Sequence, residues 1–252
     1  MTLRLDCLGS GHAFSHGAYW SGYLLGGRVL LDAPPQTLAH LYRLGEQTLA
    51  DLDLVVLSHV HSDHVFGLDL LLLDLEEGRA RDLRGGRPLA IAAPPGGYER
   101  LRQIVGTSDR LPPREDASRI VWLEDPAPSS FEWAGIEVER VEMEHAPTLT
   151  AHGYRAHLEG RTVAYTGDTR DCPAVDALAE GADLLIVECG DGSTPGAPPA
   201  IHFTWSDILA LRRRLPRTPE VLVTHYDHLD VPLEVRGIEG LTLAEDFATY
   251  EV

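Results

Sequence analysis

Apolar residues along the chain recur mostly in short runs and in alternation, a pattern that predicts more strands than helices. Residues 3–8 (Leu-Arg-Leu-Asp-Cys-Leu) alternate and predict a strand. Residues 21–25 and 29–32 flank Gly26-Gly27, a hairpin signal. Residues 54–57 form an uninterrupted apolar run behind acidic residues, the pattern of a buried strand. Further strands are expected at 89–92, 120–123, 136–141, 150–158, 162–165, 184–188 and 221–224, with a terminal one over 241–252. Helical spacing occurs at 36–43, where Leu38, Leu41 and Tyr42 share a face, and at 67–75, 98–105, 173–180 and 205–214. Residues 76–87, 107–117 and 191–200 are polar or rich in Gly and Pro and are expected outside regular structure. Helices fall in both halves, and no linker or repeat divides the chain. The pattern supports one mixed α/β domain over residues 1–252, in which two packed sheets with helices outside would bury every apolar face.

Composition narrows this picture. A hydrophobic content of 44% supplies an ordinary core. The formal net charge of −18 repels polyanions, since nucleic-acid affinity rests on basic groups that neutralise phosphates. The densest basic cluster, Arg212-Arg213-Arg214 with Arg217, falls in an amphipathic helical stretch and is expected as a solvated face. Lysine and asparagine are absent, so all basic charge other than histidine is arginine. Cys7, Cys172 and Cys189 are odd in number and far apart, which argues against a disulfide framework and suits a reducing cytoplasm. No apolar run reaches membrane-spanning length. Met1 leads straight into a strand, with no signal peptide expected.

The richest chemistry lies in Leu57-Ser58-His59-Val60-His61-Ser62-Asp63-His64-Val65-Phe66-Gly67-Leu68. Three histidines and an aspartate fall within six residues at the end of a buried strand. His59 and His61 would share one direction, with Asp63 and His64 aimed at a neighbouring position. Imidazole and carboxylate suit zinc, and are acceptable to manganese or iron. Three more polar groups each follow an apolar strand: Glu144-His145, Gly167-Asp168-Thr169 and Thr224-His225. Strand-end loops are where catalytic groups collect, although each of these alone reads as a turn former or a backbone partner.

The string His59-x-His61-x-Asp63-His64 resembles the signature of the metallo-β-lactamase superfamily, and Ser58–Leu68 looks most like its tRNA 3′-processing endonuclease (RNase Z) and phosphodiesterase branch. Leu8-Gly-Ser-Gly and the hairpin ending at Asp32 resemble the family's opening strands, although Ala33-Pro34-Pro35 replaces the usual glycine-rich turn. The resemblance implies a four-layer αββα sandwich. It implies that His59, His61 and His145 hold one metal, that Asp63, His64 and His225 hold the other, and that Asp168 bridges them. Two zinc ions are expected, with manganese or iron as alternatives, roughly 3.5–4 Å apart and sharing a water. His202, in Ile201-His202-Phe203-Thr204, matches a histidine that acts as proton donor in this branch. His202 and Asp63 are the expected catalytic groups, with Glu188 a candidate to orient His202. His12, His16, His40, His152, His157 and His228 match no ligand position and are expected to be structural or solvent-facing. His16, Tyr19, Trp20, Phe66 and Trp205 are expected on the substrate side.

The favoured function is a cytoplasmic phosphodiesterase acting on a small, cyclic-nucleotide-like diester. RNase Z enzymes insert a long basic arm that grips tRNA between the positions of His145 and Asp168. Here that interval holds only residues 146–167, which with the acidic charge disfavours nucleic acid. The Thr224-His225-Tyr226-Asp227-His228 ending is similar to small cyclic phosphodiesterases of phosphonate metabolism, but their cysteine-rich zinc site has only Cys7 here. A tRNA endonuclease, a lactone or thioester hydrolase, and a non-catalytic scaffold stand as alternatives. No membrane partner is expected, and a homodimer is allowed for.

Overall fold

A computed structural model describes residues 2–104, 119–190, 201–216 and 218–252. In chain order the first half contains β1 (Arg4–Gly9), β2 (Gly22–Leu25), β3 (Val29–Leu31), α1 (Thr37–Leu44), α2 (Gln47–Asp51), β4 (Leu54–Val56), α3 (Ser62–Val65), α4 (Leu68–Glu77), α5 (Arg79–Arg84), β5 (Leu89–Ala92), α6 (Gly97–Ile104) and β6 (Ile120–Leu123). The second half contains β7 (Ser129–Trp133), β8 (Ile136–Met143), β9 (Ala151–Leu158), β10 (Arg161–Tyr165), α7 (Pro173–Ala179), β11 (Leu184–Glu188), α8 (Trp205–Arg214), β12 (Glu220–Thr224), β13 (Leu241–Leu243) and β14 (Thr249–Glu251).

Among the described residues the strands form two seven-stranded sheets, ordered β14-β1-β2-β3-β4-β5-β6 and β13-β12-β11-β10-β9-β8-β7. One core lies between them. Leu5, Tyr23, Leu25, Leu54 and Val56 from the first sheet face Val138, Tyr154, Ala156, Val163 and Ile186 from the second. The outer face of the first sheet is covered by Leu41, Leu68, Leu71 and Leu101 of α1, α4 and α6. The outer face of the second is covered by Val175, Leu178, Ile208 and Leu211 of α7 and α8. This is the expected αββα sandwich. Strands β4 and β11 are buried on both faces, which is why their sequences are continuous apolar runs. On β8 only one face is covered, so Glu137 and Glu139 alternate outward.

Three expectations change. Residues 76–87, expected as a loop, carry the end of α4 and then α5. Gly78 only interrupts the helical run, and Arg84 turns inward to donate to the backbone oxygens of Leu49, Leu52 and Pro88. The single terminal strand over 241–252 is two strands on different sheets: β13 pairs with β12, and β14 with β1. Phe247, at φ 64°, lies between them, where the chain crosses from one sheet to the other. β7 has no counterpart in the expectations because an edge strand half-buried on alternate residues leaves little apolar signal. Residues 107–117 and 191–200, and Arg217 of the basic cluster, lie outside the described residues. Within that cluster Arg214 binds Asp171 and Asp176, and Arg212 donates to the Pro219 oxygen. Among the described residues no helix is long and apolar enough to cross a membrane.

Candidate metal centre

The strand-end loops of both sheets meet at one end of the sandwich. β4 runs out into His59 and His61, and α3 carries Asp63 and His64. From the second sheet come His145 after β8, Asp168 after β10 and His225 after β12. The β10 loop packs against the β4 loop only because residue 167 is glycine. Gly167 has φ +57°, and a Cβ there would stand 2.3 Å from the Ser58 Cβ.

The seven side chains form two adjoining clusters. In the first, His59 Nε2 lies 2.9 Å from His61 Nδ1, and His145 Nε2 lies 3.3 Å from the same atom. Asp168 Oδ2 closes it, 3.7 Å from His59 Nε2 and 3.9 Å from His145 Nε2. In the second, Asp63 Oδ2 lies 3.4 Å from both His64 Nε2 and His225 Nε2. The other Asp168 oxygen, Oδ1, faces this cluster at 3.4 Å from His64 Nε2 and 3.5 Å from His225 Nε2. Asp168 thus presents one oxygen to each cluster.

The donor set fits a pair of cations. Ligands about 2.0 Å from a tetrahedral ion stand about 3.3 Å from one another, close to the spacings here. Among the described residues, His64 Nε2 and Asp168 Oδ1 are buried without a hydrogen-bond partner, a costly arrangement that a cation between them would relieve. Burial, reinforced by neighbouring imidazoles, holds His59 well below the usual histidine range and His145 at about 4. Both are therefore neutral, as a ligand must be. His64 moves the other way: burial opposes its charge, but Asp168 and Asp32 outweigh burial and raise it. The carboxylates call for a positive charge at that point.

Supporting groups fix which nitrogen of each ring faces inward. Ser58 Oγ donates to Asp32 Oδ2 at 2.7 Å and so accepts from His59 Nδ1 at 3.0 Å. His64 Nδ1 donates to the same Asp32 oxygen at 2.7 Å, and His145 Nδ1 donates to the Ile201 oxygen at 3.0 Å. In all three rings the Nε2 lone pair is left for the cluster. Asp32 also accepts from Tyr165 Oη at 2.6 Å and from the Ser58 amide at 2.6 Å. It is fully buried, with φ +58°. Sequence reasoning quoted Asp32 only as the end of a hairpin. An acidic residue closing an apolar strand was the available signal.

His202 stands beside this assembly. Its Nδ1 is 2.7 Å from Glu188 Oε1 and 3.9 Å from Asp168 Oδ2. Asp168, His202 and His225 could themselves form a ligand group, but the His202 nitrogen nearest Asp168 is the one bonded to Glu188. Glu188 also accepts from the Thr169 amide at 2.9 Å and the Gly190 amide at 2.5 Å. Burial pushes the Glu188 pKa up, while His202 pulls against that rise and the three N–H donors favour the ionised carboxylate. Burial lowers the His202 pKa, but Glu188 more than offsets it, and the imidazole is raised to about 9.

The remaining expectations divide. His12, expected to be structural or solvent-facing, is half-buried with its ring 6.0 Å from that of His225. Phe66 is exposed at the end of α3. Trp205 is buried against Tyr226, and Tyr19 packs edge-on against His40 and Phe247. His16 pairs with Asp227.

Comparison with known proteins identifies the family and the fold. The sequence model of the beta-lactamase superfamily domain matches residues 27–231. The chain belongs to that superfamily. Within it, the chain is 28% identical over 155 residues to the ribonuclease Z of Mycobacterium marinum, covering 54% of this chain and 51% of that protein. The chain thus spans about half the length of that relative. Two solved structures share the fold. The metallo-beta-lactamase fold protein YhfI of Bacillus subtilis aligns over 100% of both chains with a TM-score of 0.74 and 19% identity. A diphosphatase from the PhnP family aligns over 99% of this chain and 98% of its own, with a TM-score of 0.76 and 20% identity.

Proposed function

We propose that the protein is a dinuclear metal-dependent phosphodiesterase whose substrate is a small, cyclic-nucleotide-like diester. The observation that carries this reading is the His202–Glu188 pair beside the seven-donor cluster. Two zinc ions held by His59, His61 and His145, by Asp63, His64 and His225, and by Asp168 between them would supply Lewis acidity and an acidified water.

The chain's own residues supply the rest. Asp32, Ser58 and the Ile201 carbonyl keep three ligand rings in the correct tautomer. Asp168 presents one oxygen to each cluster. Asp63, half-buried but held well below the usual carboxylate range by His225 and His64, keeps its negative charge. His202, charged at neutral pH, has its Nδ1–H committed to Glu188 and its Nε2–H available to the leaving oxygen. A positioned acid of this kind contributes about 10²–10⁴-fold.

Similarity to ribonuclease Z favours a second reading, cleavage of a tRNA precursor. The interval from Ala146 to Gly167 argues against it, because β9 and β10 occupy most of those residues and leave no length for a gripping arm. The net charge of −18 argues the same way. The test is a substrate panel for the zinc-loaded protein: bis(p-nitrophenyl) phosphate, a cyclic nucleotide, a lactone, a thioester and a tRNA precursor. Hydrolysis of the diesters should exceed that of the lactone and thioester. Preference for an ester or thioester would overturn the reading, and comparable processing of tRNA would favour the second one.

A further inference from the structure

A cavity of about 460 Å³ opens between α4, α5 and the starts of β5 and β6, within the roughly 300–1,000 Å³ range of ligand pockets. β5 runs parallel to β4, whose far end delivers His59, and β6 runs parallel to β5. Leu89 and Ile120, at the beginnings of β5 and β6, wall the cavity. It therefore lies at the opposite end of the sheet from the metal centre. Leu72 and Leu75 of α4 complete its apolar side.

The other side is basic, in a chain of net charge −18. Arg81, Arg84, Arg87 and Arg119 line it, against the carboxylates of Glu76 and Asp82. Those two acids do little to neutralise it. Arg119 binds Glu76 at 3.3 Å, and among the described residues Asp82 pairs with none of the four arginines. Arg87 reaches Asp53 at 3.4 Å, but Asp53 is already held by Arg28 at 2.7 Å. Arg84 is only 5% exposed and donates to backbone oxygens, among them those of Leu49, Leu52 and Pro88. Among the described residues no carboxylate meets it, and burial, with Arg87 adding repulsion, works against its charge. A buried cation without a counter-charge is costly, and an anion in the cavity would supply one. Arg81 is exposed on α5 and has no partner among the described residues, so its guanidinium is free to bind.

We propose that this cavity is a second binding site, for a small organic phosphate of nucleotide type, with its phosphates on Arg81, Arg84 and Arg119 and its apolar body on Leu72, Leu75 and Ile120. The uncompensated guanidiniums call for an anion, and their planar forks match phosphate oxygens in paired hydrogen bonds. The apolar side calls for a body larger than an inorganic ion. No residue of the metal cluster lines the cavity, so binding here needs no metal and is independent of the phosphodiesterase reading.

The test titrates the zinc-loaded full chain by calorimetry with adenosine diphosphate, adenosine, inorganic pyrophosphate and decanoate. Adenosine diphosphate should bind and adenosine should not. Pyrophosphate, which has no apolar body, and decanoate, which has no phosphate, should each bind about 10-fold more weakly than the nucleotide, one tenfold step in Kd. Arg81→Gln removes a side chain without a partner, so the fold is kept, and nucleotide affinity should fall about 10-fold. Arg81→Lys should recover part of that loss. Arg119→Gln tests the other end of the basic side and should weaken the nucleotide likewise. Both glutamine variants should keep the wild-type metal content, and nucleotide binding by the wild type should survive removal of the metal. No saturable binding of the nucleotide, or an affinity unchanged in both glutamine variants, would overturn the site. Binding that is abolished with the metal would overturn it too, and would assign the nucleotide to the metal centre. Pyrophosphate or decanoate binding as tightly as the nucleotide would overturn the organic phosphate as its ligand.

Discussion

Glu188 Oε1 and His202 Nδ1 lie 2.7 Å apart, with the Glu188 oxygens further fixed by the amides of Thr169 and Gly190. The pair joins the end of β11 to the start of the segment leading into α8. It sets both the direction and the charge of an imidazole that makes no required contact with a metal.

His202→Ala should therefore keep its fold and its metal. On diesters with alkyl leaving groups kcat should fall about 10²–10⁴-fold, the usual contribution of a positioned acid. On p-nitrophenyl diesters, whose leaving group needs little protonation, the loss should be much smaller. Equal losses on both would show that His202 positions substrate instead of donating a proton. Loss of metal would make it a ligand.

The pH profile gives an independent check. His202 is protonated below about 9, so kcat for poor leaving groups should hold at neutral pH and fall as pH rises through that value. Glu188→Gln removes the charge that sustains the shift. The falling limb should then move down toward the ordinary histidine range near 6.5. An unmoved limb would assign it to another group.

Asp168→Ala should lower metal content at both positions, since one carboxylate serves two clusters. Elemental analysis of the purified variant, beside a wild type carrying close to two metals per chain, measures this. Retention of one full equivalent with substantial turnover would show that Asp168 does not bridge.

Asp32→Asn should weaken metal binding without touching a ligand. Asparagine tolerates the φ of +58°, so the backbone is preserved. The amide cannot accept as strongly from Ser58, His64 and Tyr165 together, and such supporting partners typically affect metal affinity by about 10–100-fold. Competition with a chromophoric chelator measures it. Unchanged affinity would make Asp32 a packing residue only.

His152 should make the protein sensitive to acid. Among the described residues both ring nitrogens are buried without a partner, and burial, with Arg140 adding repulsion, lowers its pKa to about 4. The unfolded chain takes up the proton first, near 6.5, so stability is full above that value and is lost as pH falls toward 4. At pH 5 the loss from this residue is about 2 kcal/mol. Urea midpoints of chelator-treated wild type and His152→Phe should diverge between pH 7 and pH 5, with the wild type losing more. Parallel losses would remove His152 as the cause.

Much of this was legible beforehand for physical reasons. The strands β4, β5, β11 and β12 are apolar runs because helices cover their outer faces, so burial is written directly into composition. His59, His61, Asp63 and His64 were legible because one turn brings them together. The resemblance placed His145, Asp168 and His225, which the chain alone gives only as polar residues after strands. The role of Asp32 was not legible. Its partners Ser58, His64 and Tyr165 come from three segments and two sheets, and no local pattern encodes such a meeting.

Each donor cluster draws on both sheets: His59 and His61 with His145, and Asp63 and His64 with His225, Asp168 reaching across both. Ions bound there would act as rivets across the seam between two halves of the molecule. A chain severed between β6 and β7 would yield one fragment with four of the donors and another with three. The second fragment also carries β14, the outermost strand of the first fragment's sheet. Reunion would then need strand addition and would be strengthened by free zinc, so the severed protein would report zinc concentration through its own reassembly.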